Sequence, residues 1–369
     1  MNKKILFFSV NRHQKAYFDH LLASVKREDK GISLHKRSLF RNMPSLKCSK
    51  YDMNLAYEAL NIRMGHYYNK TGKQVGIIRK VLIAGLSFLT TLYFTLKLKR
   101  FIATQKPDII LLWNDMKWRQ FIVKNLAEAH KVQVAFFENG TLPNTVTLDP
   151  KGVNHNNSLP RDSGYYLKRY PAAEKNDEAQ PLFLRGDDLD SGYIFAPFQV
   201  DYDSQIISHS PWVKNMEDFY QVLERLVVDL PEGLKLVIKE HPASARCYQH
   251  LHNRNPRIEF MNAEDTDVLI SNAKSVITIN STVGLESIMK DKPVLVLGNA
   301  FYAIKGLCYR VERETDLLGK VQELSYPVRS IKNAFFRYLR EEYYMPGNCK
   351  SPSLEHIGVV KKRLYEIIK

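Results

Sequence analysis

SVITINSTVGLESIMKDKPVLVL, residues 275–297, opens on an apolar β-branched run, turns polar at Asn280, Ser281 and Thr282, enters a helical stretch at Gly284 and ends on a second apolar run. Two short, continuous apolar runs joined by a helix are the pattern of parallel strands buried on both faces. The same alternation continues outward, with apolar runs at 5–10, 108–113, 132–137, 193–196 and 234–238. The expected class is therefore α/β. Between 154 and 190 the pattern lapses into polar, proline- and aspartate-containing sequence, including Asp187 and Asp190, which suits a solvated linker. A chain of 369 residues is comfortable as two domains. The boundaries expected are 1–185 and 186–350, each Rossmann-like, with a central cleft and a last amphipathic helix in 351–369 that packs back on the first domain.

Composition narrows the partners. With 44% hydrophobic and 25% charged residues the chain is globular, and 54 Lys and Arg against 39 Asp and Glu leave a net charge of +15. Such a charge calls for a polyanionic partner: nucleic acid, an anionic membrane surface or acidic substrates. The basic residues are spread along the chain and no DNA- or RNA-binding signature is present, which argues against nucleic acid. Cys48, Cys247, Cys308 and Cys349 lack ligand or disulfide spacing and read as reduced cytosolic thiols. Residues 81–96 (VLIAGLSFLTTLYFTL) carry no charge and have basic flanks, but fall short of the roughly 20 residues that span a bilayer. They are expected to form a buried helix of the first domain, or one that also docks on anionic lipid.

In a parallel α/β sheet, function gathers at the carboxyl ends of the strands. The turn Asn280-Ser281-Thr282 presents hydroxyls and backbone N–H groups at a positive helix end, suited to a phosphate, with Gly284 permitting close approach. An ordinary N-cap is the plainer alternative. Lys239 and His241 follow the strand at 234–238, and His241 is expected to donate to a phosphate oxygen and ease departure of a nucleotide. Glu138 and Asp203 also end strands. Glycosyl transfer needs one group to attack or stabilise the anomeric carbon and another to handle the acceptor proton, so the two acids are candidates for that pair, although either could simply cap a helix.

Four ordered motifs carry a resemblance: ENGTLPNTVTLDPKGVN (138–154), PFQVDYDSQIISHSPW (197–212), KEHP (239–242) and NSTVGLESIMKDKPVLVLGNAFY (280–302). Together they resemble the capsule polysaccharide synthesis proteins of the KpsS and KpsC type, which are β-Kdo transferases. Length and a single catalytic unit resemble KpsS more than the longer, duplicated KpsC. The resemblance implies a GT-B-like fold with 1–185 as the acceptor domain and 186–350 as the nucleotide-sugar domain, CMP-Kdo as donor and retention through a covalent sugar–enzyme adduct. It makes Asp203 the nucleophile, Glu138 the acid/base, and His241 a phosphate ligand. Gln199, Lys239, Asn280, Ser281 and Thr282 are further donor-site residues, with Glu286 at the nucleotide ribose. It also implies a phosphatidylglycerol-type lipid acceptor and the start of a poly-Kdo linker. The place of work would be the inner face of the cytoplasmic membrane, with other capsule synthesis and export proteins as partners. Asp201 and Asp203 spell a DxD, but a CMP-sugar has one phosphate and little need of a metal, so no metal or other cofactor is expected. The competing readings are an enzyme that extends Kdo chains and a non-catalytic glycan-binding relative.

Overall fold

A computed structural model describes residues 2–40, 47–71, 76–171, 179–182, 192–244 and 246–368. Asp187, Asp190 and much of the expected linker lie outside them. From the N-terminus run β1 (Lys4–Ser9), α1 (Arg12–Ser24), β2 (Lys30–His35), α2 (Lys50–Thr71), α3 (Ile77–Gln105), β3 (Ile109–Trp113), α4 (Trp118–Ala129), β4 (Gln133–Asn139) and β5 (Thr145–Asp149). Then come α5 (Ser163–Arg169), β6 (Tyr193–Pro197), α6 (Ser204–His209), α7 (Met216–Val228), β7 (Lys235–Lys239), β8 (Ile258–Phe260), α8 (Thr266–Asn272) and β9 (Ser275–Thr278). The chain ends with α9 (Thr282–Met289), β10 (Val294–Val296), β11 (Tyr309–Arg310), α10 (Leu317–Gln322), α11 (Arg329–Tyr338), β12 (Met345–Pro346) and α12 (Leu354–Ile367).

Two compact units result. One comprises Met1–Tyr67, Lys73–Ser158 and Arg340–Lys369; the other comprises Tyr68–Gly72 and Leu159–Leu339. The division thus falls at Ser158/Leu159, ahead of the expected 185, and the C-terminal segment groups with the first unit from Arg340 onward.

The second unit has a six-stranded sheet in the order β11-β10-β9-β6-β7-β8, parallel at every pairing. Numbered within the unit this is 6-5-4-1-2-3, the doubly wound order, whose topological switch point lies between β6 and β9. Its central strands are buried on both faces, which is why YIFAP and SVIT read as unbroken apolar runs. On one face lies α7, capped by Asn215 accepting the Asp218 N–H at 2.8 Å, with Phe219, Leu223 and Leu226 packed against Ile194, Leu236 and Ile238.

The first unit has a six-stranded sheet in the order β12-β5-β4-β3-β1-β2. β1 to β4 are parallel in the order 2-1-3-4, with the switch point between β1 and β3. The edge is antiparallel: β5 pairs with β4 and β12 with β5. A wholly parallel sheet is thus corrected here. β4 continues two residues past Phe137, and Glu138 lies within the strand opposite Thr147 rather than beyond it. The turn is made by Asn144 at φ 52° and by Gly140, where an added Cβ would meet Thr145 Oγ1 at 1.9 Å. Leu6 and Phe8 of β1 face one core with Ile110 and Leu112. Ile5 and Phe7 face another with Leu111, Phe137 and Val360 of α12.

α3 departs from expectation. It runs 29 residues rather than 16, so the shortness argument against a bilayer span does not hold; by length and composition it is long and apolar enough to cross one. Its C-terminal half is the core helix anticipated, with Phe94, Leu98 and Ile102 buried. Its N-terminal half is open along one face: Ile78, Val81, Leu82, Leu86 and Leu89 are 61–79% exposed and share that side of the helix.

Candidate functional site

In the second unit the loops after β6, β7 and β9 are tied together at the switch point. Gln199, two residues beyond β6, donates its amide to Asn280 Oδ1 at 2.9 Å and accepts the Asn280 N–H at 3.1 Å. Asn280 Nδ2 then donates to the carbonyls of Gln205 and His209 at 2.9 and 3.2 Å. Both side chains are buried. Tyr202 donates its hydroxyl to the Ala243 carbonyl at 3.1 Å, joining the β6 loop to the turn that carries His241. Gln199 and Asn280, expected at the donor, thus spend their polar atoms on holding the loops in register. Leaving either amide unpaired inside the fold would cost about 1–3 kcal/mol.

Asp203 is the N-cap of α6: its Oδ1 accepts the Gln205 N–H at 2.9 Å, while the side chain stays exposed. Asp201, two residues earlier, is 1% exposed. It accepts the Met216 N–H and the Tyr248 hydroxyl at 2.7 Å each and stands 3.2 Å from Arg246 Nε. The DxD therefore divides into a buried anchor and an exposed acid. Among the described residues no group of three or more His, Cys, Asp or Glu is placed to hold a metal ion.

His241 is exposed and accepts the Ala243 N–H on Nδ1 at 3.1 Å. That bond leaves the neutral ring's proton on Nε2, the tautomer needed for donation to a phosphate. Lys239 has turned elsewhere: its ammonium donates to the carbonyls of Asn262, at 3.2 Å, and Glu264. Ser281 caps α9 by accepting the Val283 N–H at 3.2 Å, and exposed Thr282 opens the helix. Gly284 serves a different approach from the one expected. A Cβ there would lie 2.4 Å from Tyr302 Oη, so the glycine admits the Tyr302 ring, whose hydroxyl donates to the Ser281 carbonyl. Glu286, one turn into α9, is exposed, yet partial desolvation of its carboxyl, then Asp267, pushes its pKa up.

Glu138 belongs to the first unit. It is half-buried, accepts the Asn139 N–H at 2.9 Å, and receives weaker donation from Asn114 Nδ2 at 3.4 Å and from the Trp113 indole. Burial raises its pKa above the usual carboxylate range, outweighing these donors. Such a carboxyl holds its proton at higher pH than a solvated one. Cys349 is its neighbour: burial and then the Glu138 charge push that thiol up to about 12. Sequence reasoning missed Trp113, Asn114 and Cys349. The first two adjoin β3 and could have been suspected as strand-end residues, whereas Cys349 approaches from 211 residues along the chain and left no local signal.

The family model of capsule polysaccharide biosynthesis proteins matches residues 108–193 and 187–349. The chain is 35% identical to Protein FixF of Sinorhizobium fredii, over 66% of this chain and 62% of that protein. It is 27% identical to the capsule polysaccharide export protein KpsS of Escherichia coli, over 55% of this chain and 70% of that one. Among solved structures, Thermosulfurimonas dismutans KpsC, a beta Kdo 2,7 transferase, superposes with a TM-score of 0.50 at 14% identity, covering 100% of both chains, a likeness of fold, GT-B-like. Because the family match runs from β3 through β12 and takes in every candidate residue named above, this chain belongs to the capsule polysaccharide biosynthesis protein family.

Proposed function

We propose that the chain is a retaining glycosyltransferase that moves Kdo from CMP-Kdo to a phosphatidylglycerol-type lipid, starting the poly-Kdo linker of a bacterial capsular polysaccharide. The observation that carries this reading is the switch point of the second unit. A rigid Gln199–Asn280 clamp there presents an exposed acid, an imidazole in the donating tautomer and a capped helix N-terminus. These are the parts needed to attack an anomeric carbon and stabilise a departing phosphate.

In this mechanism Asp203 attacks the anomeric carbon, and CMP leaves with the bonding pair while His241 donates to its phosphate. The acceptor hydroxyl, losing its proton to Glu138, then attacks the same carbon and releases Asp203. Two inversions retain the configuration. The raised pKa of Glu138 supports its part as the proton carrier. Ser281 and Thr282 hold the phosphate at α9, Lys239 and Glu286 border the nucleotide, and no metal or cofactor takes part. The net charge of +15 suits an anionic donor and an anionic bilayer, and supports a peripheral place on the cytoplasmic face beside other capsule synthesis and export proteins.

The test is incubation with CMP-Kdo and two competing acceptors, lysophosphatidylglycerol and a Kdo-bearing glycolipid, with and without EDTA. Kdo on the first, unaffected by EDTA, is the expected result. Preference for the second would make the chain an extending enzyme, and glycolipid binding with no transfer to either would make it a glycan-binding relative.

A further inference from the structure

A pocket of about 610 Å³ opens on the first unit at the carboxyl ends of β1, β3 and β4, the switch point of that sheet. Its size suits a small ligand, and a switch point is where an α/β sheet binds one. The lining side chains include Asn11, His13 and Gln14 at the start of α1, Trp113 at the end of β3, and Asn348 and Lys350 after β12. No Asp or Glu lines it.

The hydrogen bonds settle which way its amides face. Asn11 Oδ1 accepts the Gln14 N–H at 2.8 Å, Gln14 Oε1 accepts the Val10 N–H at 2.9 Å, and Asn348 Oδ1 accepts the Lys350 N–H at 2.8 Å. Each carboxamide oxygen is thus occupied by the backbone, and each NH₂ group is left without a protein partner among the described residues. The Lys350 ammonium likewise makes no ion pair among them. A pocket with donors held in place, a lysine and no acid selects a ligand rich in acceptors and negatively charged. Trp113 supplies an apolar wall. Trp113 and Asn139, both lining residues, also donate to Glu138.

We infer that this pocket seats the headgroup of the acceptor, a hydroxyl-bearing phosphodiester, with its phosphate on Lys350 and the carboxamide donors and its hydroxyl delivered toward Glu138. The inference rests on the reading of the chain as a transferase to a phospholipid acceptor. To the acceptor domain implied by the resemblance it adds the pocket that reads the headgroup, lined by residues drawn from both ends of the chain.

Titration calorimetry of the full chain with glycerophosphoglycerol and, separately, inorganic phosphate tests it. Glycerophosphoglycerol should bind at least tenfold more tightly than phosphate. Lys350→Ala should weaken it about tenfold, Lys350→Arg should restore it to within about threefold, and Asn348→Asp should weaken it at least tenfold by setting a carboxylate against the phosphate. An unchanged urea midpoint of the first-unit transition reports that each variant is folded where the pocket lies, and unchanged CMP affinity that the second unit is intact. Equal affinity for the two probes, or indifference to both Lys350→Ala and Asn348→Asp, overturns the inference. Transfer to lysophosphatidylglycerol with an unchanged acceptor KM in Lys350→Ala removes the pocket and leaves the transferase reading standing. Lys350-dependent binding of glycerophosphoglycerol by a wild-type chain that transfers nothing does the reverse.

Discussion

Asp203 and Glu138 are acids placed by different physics, and each can be tested by an amide. The Asp203 carboxylate already caps α6 through Oδ1. Asparagine caps helices as well as aspartate does, so Asp203→Asn should leave stability within about 0.5 kcal/mol and CMP affinity nearly intact. As a nucleophile an amide is far poorer, and transfer should fall at least about a thousandfold. Glu138→Gln should slow the second displacement more than the first, so that Kdo accumulates on Asp203, detectable by intact mass and peptide mapping. An adduct on any other residue, or normal turnover by Asp203→Asn, would refute the assignment. Stability should move the other way for Glu138. A carboxyl with a raised folded-state pKa carries no penalty below its unfolded pKa, where it is protonated in both states, and a full penalty once pH exceeds the folded value. Glu138→Gln should therefore raise the melting temperature at neutral pH, with the gain fading as pH falls through the ordinary carboxylate range. Both acids were picked out in the sequence as following apolar runs, but Glu138 lies inside β4 and Asp203 caps α6 six residues beyond β6. The partner of Gly284 was not legible, because Tyr302 reaches it from outside the local turn.

At the scale of elements, the strands that announced themselves are the ones buried on both faces. β1, β3, β6 and β9 are unbroken apolar runs because helices cover them on either side. β2, β5 and β12 went unseen for opposite reasons. KGISLH and TVTLD mix polar residues into edge or near-edge strands, and Met345–Pro346 is too short to show a period. α3 was found but cut short, because its charged ends, Arg79 with Lys80 and Lys97 through Arg100, look like boundaries although the helix runs through them. Lys97 shows how that is managed: its residue is 7% exposed and its ammonium lies over the Tyr93 ring. The exposed stripe of Ile78, Val81, Leu82, Leu86 and Leu89, tipped by Arg79 and Lys80 on a helix with no acidic residue, has the chemistry of an anionic bilayer contact. Leu82→Glu with Leu86→Glu should abolish cosedimentation with phosphatidylglycerol vesicles while leaving CMP binding intact. Wild-type protein should be released by high salt, since exposed charges are screened within about 8 Å at physiological ionic strength. Retention through salt and alkaline washing would mean instead that α3 inserts.

The whole molecule is a chain that leaves its first unit and comes back to it, and the return is structural. Residues 340–369 bring Met345, Ile357, Val360, Leu364 and Ile368 into the same core as Phe7, Leu111 and Phe137, each at most 6% exposed. Tyr343 donates to buried Asp149 at 2.9 Å, and Tyr17 meets His356 at 2.8 Å. At roughly 1.5–3 kcal/mol for each fully buried aliphatic side chain, as an upper estimate, these contacts are worth about 10 kcal/mol. A typical domain has a net stability of only about 5–15 kcal/mol, so the first unit has little to spare without them. Composition and strand pattern implied two α/β bodies, yet no local signal could fix which one owns the C-terminus, because that is decided by contacts such as that of Tyr343 with Asp149, 194 residues apart in sequence. Deleting 340–369 should accordingly remove the unfolding transition of the first unit, expose apolar surface to a dye such as ANS, and leave a chain that still binds CMP through the second unit. The same deletion also strips Asn348 and Lys350 from the pocket, so the discriminating variant is the pair Val360→Ala with Leu364→Ala. That pair should lower the stability of the first unit by several kcal/mol, at about 2–5 kcal/mol for a buried leucine and less for valine, and so lower its urea midpoint, while sparing the pocket residues themselves. An unaltered urea midpoint in this double variant would show that α12 rests on the first unit without supporting it.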